Sequence, residues 1–488
     1  MEENGNGGLK RTVDWKQGMF IALGVPLLIL PSLYDVGSIV WGLCILVWSL
    51  SVVQGFVQNL AYGEMVTALP GATGLPGCAQ KVFRSKEGDP PRNMRKFIGA
   101  FSAWCYWFAW CPVVAIFTML IGDYLIRMFE WDFTGWENLG LYLGVGIAIV
   151  FVMYALGSRG LEGGAKLGTL LAVISIIPIV IIVAGAFVTG MFDMDLITDR
   201  ITADGWSWSA VDLVLLFGCF ALAQWSACAW ETAAIYGPEY RNPGKDVPKA
   251  LFGCGLICLF MYFFVSFGVF GSLDTGEMDA AGAASLVPIA EFVFGGFGKY
   301  VALFLLIVAM ILIIQTGFLG SSRTLYSMAG EHNLPSWFKK TNRYGMPTNA
   351  MLFVGMFNML LVLVVGYSGC VAGSSDTNMT ILSASAMGYC IANGIALAAY
   401  VKTKRDPEFS DLDRPFKAPH GWNHVILAMT AVQFFVWFPC LVYWSYYQSD
   451  GFTPVILGAA ILLLFVPLWY YVQGKGYEDA YGVMPTSE

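Results

Sequence analysis

Apolar runs of membrane-crossing length recur from one end of this 488-residue chain to the other. A helix rises 1.5 Å per residue, so about 20 apolar residues cover a hydrocarbon layer of roughly 30 Å. Twelve such runs can be read, near 18–37, 39–62, 97–126, 139–157, 166–190, 211–238, 249–272, 298–329, 348–367, 379–401, 424–447 and 453–473. Backbone N–H and C=O groups inside lipid must bond one another, and an α-helix does this within one segment. The expected fold class is an all-α integral membrane protein with twelve transmembrane helices. Charged residues are only 12% of the sequence, about half of what a soluble chain carries.

Lys and Arg give the orientation. With the N-terminus inside, 24 of the 27 fall in inner segments, and only Arg127, Arg200 and Lys299 fall outside. Basic residues stay on the cytoplasmic side, so both termini are expected there, in a multi-pass plasma-membrane protein. The tails expected in the cytosol are 1–16 and 475–488. The eleven Cys lie almost all in apolar runs, without a CxxC pair, and read as small packing residues. No metal site and no cofactor are expected. An enzyme needs converging acid and base groups, but the three His (His332, His420, His424) all sit near inner loops. The basic residues are dispersed at membrane ends, so no nucleic-acid patch is expected. Membrane lipids are the expected surroundings, and the oligomeric state is not legible.

Two of the apolar runs are interrupted. Gly24-Val25-Pro26 breaks the first. The second break lies in Trp225 to Pro243, a segment that mixes small residues, two Trp and a carboxylate. A lipid-bathed helix has no use for that mixture. Non-helical backbone is tolerated at membrane depth only where it is buried or lines a cavity, and paired interruptions mark a transporter's binding site. Carbonyls freed over Ser226-Ala227-Cys228 would accept from an ammonium group. Trp225 and Trp230 flank them, and Trp faces attract cations. The blander alternative places these Trp against lipid. Glu231 follows, and a carboxylate in a membrane is a functional candidate by default; the alternative is a structural bond to the broken backbone. Asp35, Glu64, Asp123 and Asp212 lie nearer run ends and read as interfacial. Arg323 and the Arg241–Lys249 loop read mainly as topology signals.

Four motifs carry a resemblance. They are the break from Gly24 to Pro31; the segment from Trp225 through Glu231 to Asn242-Pro243, followed by Val247-Pro248-Lys249-Ala250; Ser322-Arg323 with Tyr326-Ser327-Met328-Ala329, Leu334-Pro335 and Pro347; and Arg414-Pro415-Phe416-Lys417-Ala418-Pro419. In this order, the chain resembles the amino acid–polyamine–organocation superfamily of secondary transporters over nearly its whole length. The resemblance implies a 5+5 inverted-repeat core over 17–405, with repeats 17–190 and 205–405, discontinuous helices 1 and 6, and two peripheral helices over 406–474. It implies a substrate held between helices 1, 3, 6 and 8.

The resemblance also assigns roles. Gly24, Val25 and Pro26 would take the place where amino-acid carriers bind the substrate carboxylate with N–H groups at a half-helix N-terminus. Proline has no N–H and valine no hydroxyl, which shifts the expectation toward an amine or organic cation; the alternative is that Pro26 only kinks the helix. Trp225 would pack on substrate, and Glu231 would sense protons or gate. In helix 3, Trp104, Trp107, Phe108 and Cys111 share one face and Tyr106 and Trp110 another, and the resemblance favours Trp110 and Val114 facing substrate. Proton-coupled relatives often carry a Lys where this chain has Ser175. Ser175 could instead ligate Na⁺ with Ser321 or Ser322, mark an exchanger that needs no ion, or simply bond its own helix. The expected function is a secondary active transporter or exchanger for a small amine, organic cation or amino acid, with H⁺ or Na⁺ as the candidate coupling ion. The alternatives are an amino acid permease with its carboxylate site intact and a transporter-like nutrient sensor.

Overall fold

The computed structural model describes residues 9–474, apart from 70, 87, 91, 374–376 and 450. The expected tail over 475–488 lies outside the described residues. Among the described residues, twelve helices are long and apolar enough to cross a membrane. Spans 1–6 are Trp15–Val40, Leu43–Ala68, Met94–Phe129, Trp136–Gly157, Leu161–Thr189 and Ala210–Glu239. Spans 7–12 are Pro243–Phe270, Phe297–Gly330, Thr348–Val371, Met379–Arg405, Trp422–Gln448 and Thr453–Val472. Each coincides with one expected from the sequence. The fold class is all-α, and no strand occurs among the described residues.

Span 1 is interrupted where the sequence places the break. Its first helix, Trp15–Ala22, ends at Leu23; a 3₁₀ turn covers Val25–Leu28 and a second helix runs Ile29–Val40. Pro26 sits in the first turn of the 3₁₀ segment, where a missing N–H costs no intrahelical bond and a fixed φ is suited to the turn. Gly24 is required for packing. A Cβ there would lie 2.5 Å from Thr316 Oγ1 and 2.9 Å from the Ile313 Cα of span 8.

Span 6 departs from expectation. The α-helix continues through Trp225, Ser226 and Ala227, and the change comes at Cys228, the last of the three residues whose carbonyls were expected to be free. Nothing in Trp225–Ala227 removes a donor or blocks the helix, and Ser226 bonds back to the Ala223 carbonyl at 3.1 Å. From Ala229 to Glu239 the chain is a 3₁₀-helix of 11 residues, far longer than the three or four residues usual for this tight, poorly bonded winding. Span 3 holds a third break, not read from the sequence. Cys111-Pro112 separates Met94–Trp110 from Val113–Phe129. Asn358 of span 9 spans it: Oδ1 accepts from the Ala115 N–H (3.0 Å), and Nδ2 donates to the Cys111 sulfur (3.4 Å).

The face carrying the start of span 1 is tightly bolted. Thr12 and Val13 donate to the Glu239 carbonyl, and Arg241 donates back to Val13. Arg323 is not the surface topology charge the sequence suggested. It is fully buried and makes two hydrogen bonds to Glu239, at 2.6 and 2.9 Å, with the Tyr236 ring 5.0 Å from its guanidinium carbon. Glu64 is likewise not interfacial. It is fully buried and bound by Lys404, Arg414, Tyr400 and the Ala418 N–H. A buried carboxylate needs such a complete set of partners, and the Arg414–Pro419 motif supplies two of them.

Candidate substrate site at the broken helices

The carbonyls released by the span 1 break are capped from neighbouring helices. Thr316 donates to Ile21 O (2.7 Å), Tyr262 to Val25 O (3.1 Å) and Cys254 to Ala22 O (3.7 Å, through sulfur). Buried carbonyls in lipid must find such partners, and here spans 7 and 8 provide them. The break is thereby held open as a fixed feature.

Across from it lies an aromatic wall. Trp110 and Trp225 stack with centroids 5.8 Å apart and planes 20° apart. The Trp225 indole N–H donates to the Ala109 carbonyl at 3.0 Å, which locks its ring against the span 3 break. Tyr389 meets Trp110 edge-on at 6.5 Å, and Tyr106 lies 6.4 Å from it. Behind this wall stands Glu231, fully buried at the start of the 3₁₀ segment. Tyr106 donates to its Oε1 at 3.3 Å. The Tyr389 hydroxyl faces the same carboxylate, and the Trp110 indole N–H has no hydrogen-bond partner among the described residues. Only two hydroxyls face this buried carboxylate, and no cationic side chain pairs with it among the described residues, a costly state for a buried charge.

Not every expected residue joins this layer. Trp230 is buried but serves packing: its ring lies over Phe56 (4.8 Å), and a Cβ on Gly255 would come within 2.6 Å of it. Its indole N–H takes the Ala227 carbonyl at 3.1 Å, so that acceptor is spent within span 6. The Cys228 thiol donates to the Ser51 carbonyl of span 2 at 3.1 Å. Val114 is buried one turn past Trp110, just beyond Pro112. The three serines considered for an ion each bond their own helix: Ser175 to Leu171 O (2.7 Å), Ser321 to Gly317 O (2.7 Å) and Ser322 to Phe318 O (2.6 Å). The hydroxyls that reach the span 1 break are those of Thr316 and Tyr262.

The sequence reading also missed a buried amide cluster beside Trp225. Asn393 Nδ2 lies 3.3–3.4 Å from the carbonyl oxygens of Gln58, Gln224 and Gln433, and Tyr62 donates to Asn393 Oδ1. Gln433 enters from a π-helical turn, Gln433–Trp437, in span 11. Amides in mid-span are a signal in themselves; their convergence depends on four separate helices. Glu64 and Glu239 were equally readable as membrane carboxylates, but their cationic partners were not.

The Amino acid permease family model matches residues 14–469. An arginine/ornithine antiporter of Lactococcus lactis subsp. cremoris is 24% identical over 322 residues, which are 62% of this chain and 62% of that protein. A serine/threonine exchanger of Bacillus subtilis is 24% identical over 59% of this chain and 60% of its own length. A probable lysine/arginine permease of Candida albicans is 24% identical over 87% of this chain and 75% of its own. The fold is similar to that of a manganese transporter of Eremococcus coleocola, with a TM-score of 0.58 at 11% identity, covering 96% of this chain and 98% of that one. The matches to the first two of these relatives thus span about three fifths of their length. With its model matched from the first span to the last, this multi-pass membrane chain belongs to the amino acid permease family.

Proposed function

We propose that the chain is a secondary active transporter or exchanger that moves a small, positively charged solute by alternating access, with a cationic amino acid or the corresponding amine as substrate. The observation that carries this reading is buried Glu231, which has no cationic partner among the described residues, beside the stacked Trp110–Trp225 wall. A cation over an indole face gains up to about 2 kcal/mol when desolvated, and a carboxylate supplies the charge. The named relatives include carriers of arginine, ornithine and lysine, which agrees with that chemistry. Both termini face the cytoplasm, following the Lys and Arg distribution.

We favour exchange, or coupling to a proton at Glu231, over coupling to Na⁺. Thr316, Tyr262 and Cys254 already donate to the carbonyls of the span 1 break, and a hard cation needs free oxygen ligands. The test is uptake of labelled arginine into proteoliposomes, loaded or not with unlabelled arginine, with and without Na⁺. Stimulation by internal substrate and indifference to Na⁺ support the reading. Uptake that requires Na⁺ would overturn the coupling, and absence of arginine uptake or exchange would overturn the substrate class.

A further inference from the structure

A cavity of about 500 Å³ opens on the side away from the termini. Pro31 to Asp35 of span 1, Ile116 to Arg127 of span 3 and Met379 and Leu382 of span 10 line it. These are the helices that carry Pro26, Val114 and Tyr389 in the layer below. Asp35 and Asp123 lie nine residues beyond Pro26 and Val114, roughly 13 Å along a helix. The cavity therefore stands directly above the aromatic wall, on the path a solute takes to reach it.

Its lining carries both signs of charge. Asp123 and Arg127 are one turn apart on span 3, yet no ion pair joins them within 4.0 Å among the described residues, and each is held elsewhere. Tyr142 donates to Asp123 Oδ1, and Arg127 donates to the Ala281 carbonyl at 2.9 Å. One guanidinium edge is thus anchored, and the rest of the fork has no further hydrogen-bond or ion-pair partner among the described residues. Asn138, from the start of span 4, lines the same cavity with a buried side-chain oxygen that has no partner. An anchored guanidinium, the carboxylates of Asp35 and Asp123 and an unmatched amide oxygen around one chamber fit a zwitterion. The fork binds a carboxylate, while Asp123 and the Asn138 oxygen take an ammonium group.

We propose that this chamber is a second, lower-affinity binding station that receives the α-amino acid zwitterion before it descends to the Trp110–Trp225 layer, with Arg127 reading the carboxylate. The inference rests on the transporter reading above. It also accounts for a chain that lacks an N–H at Pro26 and still belongs to an amino acid permease family: part of the carboxylate recognition is moved outward.

The experiment is proteoliposome uptake of arginine and, separately, of agmatine, which lacks the α-carboxylate. Wild type, Arg127→Gln, Arg127→Lys and Trp225→Ala are compared. Arg127→Gln should raise KM for arginine about three- to fivefold, the scale of a solvent-accessible charge contact. Its kcat should hold, and KM for agmatine should stay unchanged. Arg127→Lys, which keeps the charge, should recover part of the loss. A role of Arg127 only in holding the Ala281 loop would shift both substrates alike, and that result would overturn the proposal. So would an Arg127→Gln variant with wild-type KM for arginine. These failures differ from failure of the transporter reading, in which Trp225→Ala would leave uptake of both substrates intact.

Discussion

Arg323 and Glu239 are joined side by side, Nε to Oε2 at 2.6 Å and Nη2 to Oε1 at 2.9 Å, with both residues out of reach of solvent. The pair connects span 8, which is continuous, to the end of the long 3₁₀ segment of span 6. The same Glu239 offers its carbonyl to Thr12 and Val13 at the entrance to span 1. Both broken helices are thus fastened to one point on the face that holds the N-terminus, while the 500 Å³ chamber opens on the opposite face. This is the closed-below, open-above arrangement that alternating access requires of one of its states.

Removing one member of this pair leaves a buried charge without a partner. Arg323→Met should cost about 3–5 kcal/mol of stability, whereas Arg323→Met with Glu239→Leu should recover most of it. Thermal melting of the purified protein in detergent reads both. A single variant as stable as wild type would show that the pair does not hold this face shut.

Trp225→Ala removes the stacked partner of Trp110 and the bond to the Ala109 carbonyl. It should abolish arginine binding, measured by scintillation proximity on the purified protein. Trp225→Phe, which keeps a ring face but not the indole N–H, should retain weakened binding. Full binding by the Ala variant would move the site elsewhere.

Glu231→Gln keeps the shape of the side chain and the bond from Tyr106 but removes the titrating group. With a cationic substrate, wild-type uptake should rise as Glu231 deprotonates and becomes the counter-charge. The Gln variant should show a flat profile and at least about a tenfold loss, since a hydrogen bond to a charged group is worth about 1.5–3 kcal/mol. A variant with the wild-type pH profile would take Glu231 out of the mechanism.

Asn393→Leu strands the facing oxygens of Gln58 and Gln433 in a dry interior, while Gln224 keeps its bond from Gln54. Each unmatched amide costs about 1–3 kcal/mol, so the melting temperature should fall well below that of wild type. Asn393→Gln, which can still donate, should fall less. Equal melting of Asn393→Leu and wild type would mean that the cluster is not a structural hub.

The membrane topology was legible in the sequence because hydrophobic length is a local property: a run of about 20 apolar residues reads as a span wherever it packs. The span 1 break was legible for a similar reason, since Gly24 and Pro26 announce it by their own chemistry. The span 6 change was expected two residues too early because Trp225–Ala227 contains no breaker; at Cys228, where the winding tightens, the thiol bonds the Ser51 carbonyl. The Pro112 break carried its own signal, but only Asn358, 246 positions away, shows how it is sustained. Glu64 and Arg323 looked interfacial because they lie near run ends. Their burial depends on Arg414 and Glu239, which the sequence places far from them. Trp110 facing Trp225 came from resemblance, whereas Tyr389 as the third wall of that layer required the fold.

The most direct test of the central claim is a cryo-EM map of the protein with saturating arginine. The account predicts density for one solute between the span 1 break and the Trp110–Trp225 stack, with its cationic end toward Glu231. Well-ordered side chains around that layer with no added density there, at an arginine concentration that saturates uptake, would contradict it.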